Sequence, residues 1–375
     1  MEYIILKDIC IDIKDGNWIE SKDQSKEGIR LIQTGNIGNR KYIDKENKAK
    51  FISEETFQKL KCTEIFEGDV LISRLPSPVG RACLFPKIGQ RAITAVDCTI
   101  VKFNKKICIP EYFLYYTASD MYMRQIEKSL VGTTRLRISR KKLENIKIYL
   151  PNIGIQEKAV NVLDKVQSLI EKRKAQIEAL DELVKSRFME MFGNPIINSK
   201  GWKTELLGNI CEMKAGKNIK ASDICEENLA GLYPCYGGNG LRGYVKEYSH
   251  EGNIPLIGRQ GALCGNVKYA RGKFYATEHA VATNPKMEMN TYWLYFMLSE
   301  LDLNRLSTGA AQPGLTIGKL NEVEFPMVPM ELQNRFEKFA NEIDKLKFEI
   351  QNSLKELENN FNSLVQKAFK GELFN

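Results

Sequence analysis

The chain carries one plan twice, and that duplication limits its fold more than any other feature. Displaced by 177 residues, the stretch 132–156 falls without a gap on 309–333. Gly132 meets Gly309, Leu143 meets Leu320 and Gln156 meets Gln333, with Ile138/Leu315, Ser139/Thr316, Ile146/Val323 and Ile155/Leu332 between them. The same displacement pairs Val166 with Ile343, Leu169 with Leu346, Leu180 with Leu357 and Phe192 with Phe369. Earlier segments echo with gaps: Leu6-Lys7-Asp8-Ile9-Cys10 with Leu207-Gly208-Asn209-Ile210-Cys211, Gly35-Asn36 with Gly238-Asn239, and the stretch 70–80 with 255–265. What repeats is an order of events: a glycine loop, an apolar strand, a proline, a glutamine, then a long helix.

Each copy ends in a helix of seven-residue periodicity. Between 156 and 192 there is no Pro or Gly, and Leu163, Ile170, Ile177, Val184 and Met191 recur every seven positions, with Val166 and Leu180 beside them. From 332 to 370, Phe336, Ile343, Ile350, Leu357 and Leu364 do the same, with Phe339 and Leu346 between. Sustained heptads predict coiled-coil packing. The first helix stops at Gly193-Asn194-Pro195, and because it leads into the second globule while the second helix leaves that globule, the pair is expected to run antiparallel. At 1.5 Å per residue the first helix is about 55 Å long, which matches on the order of 16 base pairs of duplex.

The globules read as α+β. Strands are expected at 69–73, 98–103, 146–150, 254–257 and 323–326, and helices over 110–126, with Pro110 in the first turn, and 292–306. The resulting division is globule 1–152, helix 153–194, globule 195–329, helix 330–375, an internal pseudo-twofold repeat.

Charge follows the same division. The chain has 55 Lys and Arg against 47 Asp and Glu, a net +8. The two helical stretches are nearly neutral, with seven basic and seven acidic residues in the first and seven and six in the second, so +7 sits on the remainder. A polyanion facing the globules is the partner this suggests. Basic and neutral polar candidates gather in turns: Thr133, Thr134, Arg135 and Arg137 after Gly132, and Arg74, Arg81, Arg242, Arg259, Gln260 and Arg271, mostly beside Gly or Pro. Hydroxyls and backbone N–H groups can hold phosphates, and Arg and Gln can read guanine and adenine edges. In the second copy, Gly309-Ala310-Ala311-Gln312-Pro313-Gly314 lacks the charges of the first. For any single member, ordinary solvated surface is the competing reading.

Catalytic signatures are missing. Two histidines, His250 and His279, cannot equip both halves with a Ser–His or metal–His apparatus, and His279 reads as a packed or hydrogen-bonded side chain. Ala215-Gly216-Lys217-Asn218 lacks the upstream Gly and the hydroxyl of a phosphate loop. Neither HExxH nor zinc-type cysteine spacing occurs. The nine scattered cysteines point to reduced thiols in the cytoplasm, the opening Met1-Glu2-Tyr3 is not that of a signal peptide, and no apolar run is long enough for a membrane span. A binding protein rather than an enzyme is expected.

These features resemble the specificity subunits of type I restriction–modification systems. The resemblance rests on the 32–37 stretch Ile-Gln-Thr-Gly-Asn-Ile, on 68–72, on Tyr233-Pro234-Cys235-Tyr236-Gly237-Gly238, and above all on Leu143, Ile148, Pro151 and Gln156 with their counterparts Leu320, Phe325, Pro329 and Gln333, each set feeding a long helix. It implies two target-recognition domains reading the half-sites of a split double-stranded DNA target, with the helices as an antiparallel spacer. It also implies two methyltransferase subunits and restriction–translocase subunits as partners, which would carry S-adenosylmethionine and ATP, no cofactor being held by this chain. Two alternatives stay open at this point: a coiled-coil scaffold linking two protein-binding globules, and a self-sufficient nuclease with unrecognised acidic metal ligands.

Overall fold

A computed structural model describes residues 3–261, 263–309 and 313–374. The chain forms two compact units. One comprises Met1–Lys174 with Asn352–Asn375, the other Ala175–Gln351. Two long helices, Ile153–Phe192 and Met330–Lys370, each contribute to both units.

The first unit is built on ten strands: β1 (Tyr3–Ile5), β2 (Cys10–Asp15), β3 (Ile29–Ile32), β4 (Phe51–Ile52), β5 (Glu64–Ile65), β6 (Val70–Ser73), β7 (Ala82–Leu84), β8 (Ala92–Thr94), β9 (Cys98–Phe103) and β10 (Lys147–Tyr149). They make a β1-β10 ribbon and two four-stranded sheets, β2-β9-β6-β7 and β4-β3-β8-β5. The second unit has β11 (Thr204–Leu206), β12 (Cys211–Ala215), β13 (Tyr233–Gly237), β14 (Gly240–Val245), β15 (His250–Glu251), β16 (Ile254–Gly258), β17 (Val267–Ala270), β18 (Lys273–Ala276), β19 (Ala280–Pro285) and β20 (Glu324–Pro326). Its sheets are β11-β20, β12-β19-β16-β17 and β14-β13-β18-β15. Strand for strand this is the first unit's order, and a parallel strand pairing recurs as β3 with β8 and β13 with β18.

The strands form where the apolar runs were expected, within a residue or two at each end. Both 70–73 and 254–258 are buried on both faces, so they read as continuous apolar runs rather than alternating ones. The single helix expected over 110–126 is two, Pro110–Tyr116 and Asp120–Ser129. Ser119 causes the break: its hydroxyl accepts from the N–H of Tyr122 as an N-cap and donates to the carbonyl of Tyr116. The helix expected over 292–306 covers Thr291–Glu300, and Asp302 in the left-handed conformation (φ +46) then admits a short 3-10 turn, Leu303–Leu306.

Each unit packs its sheets and short helices against its share of the long helices. In the first, Tyr112, Phe113, Tyr116 and Tyr122 join Leu163, Ile170, Phe361, Val365 and Phe369 in one core. In the second, Trp293, Leu298 and Phe325 join Val184, Phe188, Phe192, Phe336 and Ala340. Within the second unit the helical segments run antiparallel, since Phe188 meets Phe336 (ring centroids 5.4 Å apart) and Asp181 pairs with Lys347 further along. Leu346, read as a seam residue, is exposed there, as is its repeat counterpart Leu169 in the first unit. Among the described residues no helix is long and apolar enough to cross a membrane.

Candidate nucleic-acid interface

The expected basic loop of the first unit is a closed turn. Val131 and Arg137 exchange backbone hydrogen bonds at 2.9 and 3.0 Å, and the residues from 132 to 137 are exposed. Gly132 makes the turn possible: its φ is +101, and a Cβ there would lie 2.6 Å from the carbonyl oxygen of Arg135. Thr133, Thr134, Arg135 and Arg137 thus project into solvent, and neither arginine has an ion-pair partner among the described residues. The loop docks on Arg74, whose carbonyl accepts from the N–H of Ile138 at 3.3 Å.

The second unit repeats this construction. Thr308 and Gly314 exchange backbone hydrogen bonds at 2.9 and 2.8 Å, Gly309 again has φ +101, and the N–H of Leu315 donates to the carbonyl of Arg259 at 2.9 Å. Gln260 is tied in as well, bridging Gly314. Ala310, Ala311 and Gln312 lie outside the described residues.

Arg74 and Arg259 therefore occupy equivalent places but differ in their partners. The Arg74 guanidinium donates to the carbonyl of Val96 at 2.6 Å and lies 3.6 Å from Asp15, which Arg140 also approaches at 3.9 Å. Arg259 has no ion pair among the described residues, and its Nε, like that of Arg74, is buried without a hydrogen-bond partner. Arg242, exposed on β14, flanks Gly237 so closely that a Cβ at that glycine would lie 2.6 Å from its Cδ.

One of the basic residues turns inward. Arg81 donates to four backbone carbonyls, those of Ile37 (2.6 Å), Leu75 (2.7 Å), Pro78 (2.8 Å) and Thr34 (2.8 Å). Burial draws its pKa below the ordinary arginine value. Most of its donors are used in tying the 34–37 turn to the 75–78 turn, which the sequence signal of Arg beside Gly could not reveal. Arg271 lies over the rings of Tyr269 (5.5 Å) and Tyr292 (5.4 Å) and 3.8 Å from Asp344 on the second long helix, with its side chain still 59% exposed.

Other polar groups at these turns were not singled out from the sequence. Behind the 34–36 turn a concavity of about 180 Å³ is lined by Gln33, Thr34, Lys45, Lys48 and Lys50. In the second unit Asn239 accepts from Asn266 at 3.2 Å, Glu278 Oε1 lies 3.1 Å from His279 Nε2, and the N–H of Arg259 donates to the carbonyl of His279 at 3.0 Å. The other histidine, His250, is a packing residue stacked on Phe274, and burial lowers its pKa. Among the described residues no group of three or more His, Cys, Asp or Glu is placed to hold a metal.

Known proteins bear on this arrangement. The chain is 32% identical over 297 residues to the specificity subunit of the type I restriction enzyme EcoprrI of Escherichia coli, covering 75% of this chain and 72% of the relative. To the MjaIX specificity subunit of Methanocaldococcus jannaschii it is 24% identical, over 92% of this chain and 87% of the other. The fold matches the crystal structure of a type I restriction–modification S subunit from M. genitalium with a TM-score of 0.60, at 19% identity over 98% and 96% of the two chains. A chain from a study of assembly and conformational transition of the type I R-M system gives 0.64, at 18% identity over 99% and 98%. The model of the type I restriction modification DNA specificity domain matches residues 1–179 and again 199–359, the same two copies that the sheets repeat, and on that match the chain belongs to the type I restriction–modification DNA specificity family.

Proposed function

We propose that this chain is the DNA-reading, non-catalytic subunit of a type I restriction–modification complex. In this reading each half reads one half-site of a split target separated by a fixed gap, and the long helices serve as spacer. The observation that carries the reading is the duplicated loop-and-arginine construction: a glycine at φ +101, Gly132 or Gly309, and after it a backbone N–H docked on the carbonyl of Arg74 in one half and Arg259 in the other. Two binding surfaces of one geometry with different side chains are what a reader of two unlike half-sites requires. The chain works with DNA and with other subunits of the system. Two methyltransferase subunits and restriction–translocase subunits complete it in this proposal, and they, not this chain, hold S-adenosylmethionine and ATP.

Thr133, Thr134, Arg135 and Arg137 are assigned to phosphates. Their side chains are exposed and have no partner among the described residues, and phosphate contacts position a protein without reading sequence. Arg74, Arg259, Gln260 and Arg242 are assigned to the groove-facing side of the same surfaces. The scaffold alternative is not favoured, because membership in a DNA specificity family speaks for DNA as the ligand. The experiment is a map of methylated bases across the host genome with and without the gene. Loss of methylation at one split motif of constant gap supports the reading. An unchanged pattern in a host expressing the gene and its methyltransferase refutes it.

A further inference from the structure

Between its two main sheets each half makes a backbone elbow, residues 94–98 in the first and 276–280 in the second, held by the same hydrogen bonds. Ala95 donates to Ile32 and Thr277 to Tyr236 (both 2.9 Å), and Cys98 to Ala95 and Ala280 to Thr277 (both 2.9 Å). Arg74 donates to Asp97 (2.9 Å) and Arg259 to His279 (3.0 Å), while Gly16 donates to Cys98 (2.9 Å) and Gly216 to Ala280 (3.0 Å). Both glycines are required by contact: a Cβ would lie 2.3 Å from the carbonyl oxygen of Ala95 at Gly16, and 2.0 Å from that of Ala276 at Gly216. The backbone of the elbow is thus duplicated, while its side chains are not.

Ser73 pairs with Cys98 and Gly258 with Ala280, so Val96 and Asp97 correspond to Glu278 and His279. By the same register Asp15, opposite Thr99, corresponds to Ala215, opposite Val281. The first half therefore ties its arginine to Asp15 and presents an apolar Val96. The second half has no carboxylate at the place of Asp15 and carries Glu278 and His279 at the places of Val96 and Asp97, with the Arg259 N–H on the carbonyl of His279. Glu278 and His279 are each 37% exposed. Glu278 Oε2 and His279 Nδ1 are buried without a hydrogen-bond partner among the described residues, as are the Nε atoms of both Arg259 and Arg74, so the second half adds two polar atoms with unused bonding capacity at this elbow.

We propose that Glu278 and His279, with Arg259 beside them, fix the identity of one base pair in the second half-site, a proposal that rests on the DNA-specificity reading above. Two halves that share a backbone can read unlike sequences only through side chains that differ on it. Here the difference is a hydrogen-bonding pair set against Val96 and Asp97. A carboxylate accepts from an exocyclic base amine and an arginine donates to guanine, so the chemistry fits a polar base edge rather than a thymine methyl.

The test is selection of a randomised duplex pool by the full-length chain with its methyltransferase subunits, comparing wild type with Glu278→Gln, His279→Asn and the double variant E278V/H279D. The expected result is relaxation or change at one position of the second half-site, with discrimination there falling roughly tenfold, while the first half-site and the gap are kept. An unchanged motif in all three variants overturns the proposal. So does a uniform loss across both half-sites, or failure of even the two isosteric single variants to fold by thermal melting, since the pair would then be structural. If the wild type itself selects no split motif, the DNA-specificity reading fails and takes this proposal with it, an outcome distinct from a wild-type motif that the variants share.

Discussion

Gln333 presents its side-chain carbonyl to the backbone N–H of Asn290 at 2.9 Å while its amide donates to the carbonyl of Val328 at 2.7 Å. Gln156 does the same in the other half, accepting from Ile109 at 2.9 Å and donating to Ile107 and Pro151 at 2.9 and 2.8 Å. Both side chains are buried. Each glutamine sits in the first turn of a long helix and closes backbone groups that precede a short helix, so it registers globule and rod within its own unit. Replacing Gln333 with Leu strands a buried donor and a buried acceptor, each at a cost of about 1–3 kcal/mol. The expected outcome is a lower denaturant midpoint for the transition reporting on Trp293. A Leu variant as stable as wild type would remove the glutamine from this role.

That glutamine shows what the sequence makes legible. Its recurrence at one displacement, the heptads and the apolar strand runs all reflect backbone periodicity and burial, which act locally and leave a pattern in the residues. The duplicated sheet order follows from them. The candidate site was less legible, because a side chain's partner is fixed by what the fold brings near it. Arg81 and Arg135 look alike beside glycine or threonine, yet one holds four carbonyls and the other faces solvent. His279 reads as a packed or hydrogen-bonded side chain and lies 3.1 Å from Glu278, but nothing local reveals that Arg259, twenty positions earlier, donates to its backbone. Leu346 satisfied the heptad and is exposed all the same, since a period marks a face of the helix but not how far along it the packing extends.

The thiols offer a check on the core. All nine cysteines are free, and seven are buried. Burial pushes the thiol of Cys83 up to about 12, and Cys10, half-buried, to about 12 as well. Since the thiolate is the reactive form, these groups should resist alkylation at pH 8, and Cys225, half-buried in the 221–232 region of the second unit, should be modified first. Mass spectrometry after brief iodoacetamide treatment of the native protein reads this directly. Early labelling of Cys83 or Cys10 would contradict the packing of the first unit.

The elbow glycines predict a paired effect. Gly216→Ala places a methyl 2.0 Å from a backbone oxygen and Gly16→Ala one 2.3 Å from another, so neither clash can be relieved by rotating a side chain. Strain of about 1–3 kcal/mol is expected for each, confined to the unit that carries the substitution. Half-site selection should then weaken in the second half for Gly216→Ala and in the first for Gly16→Ala. Gly272→Ala is the control for space: nothing lies within 4 Å of its Cβ position, although its φ of +69 still disfavours alanine. It should cost stability modestly and leave both half-sites readable. Equal effects of Gly216→Ala on both half-sites would show that the elbows are not independent elements.

The arginines separate binding from folding. Arg135 and Arg137 have no internal ion pair among the described residues, so replacing both with alanine should leave the melting temperature nearly unchanged. If each meets one phosphate, the slope of log affinity against log salt should flatten by about 1.8, and the preferred sequence should stay the same. Arg81→Ala should do the reverse. Four carbonyls lose a charged donor, hydrogen bonds of that kind contribute about 1.5–3 kcal/mol each, and the first unit should unfold earlier while the salt slope per folded molecule holds. Fluorescence anisotropy on one duplex at several salt concentrations, paired with thermal melts of the same preparations, distinguishes the two. A flattened slope in a stably folded Arg81→Ala protein would mean that its guanidinium leaves those carbonyls for the phosphates when DNA binds.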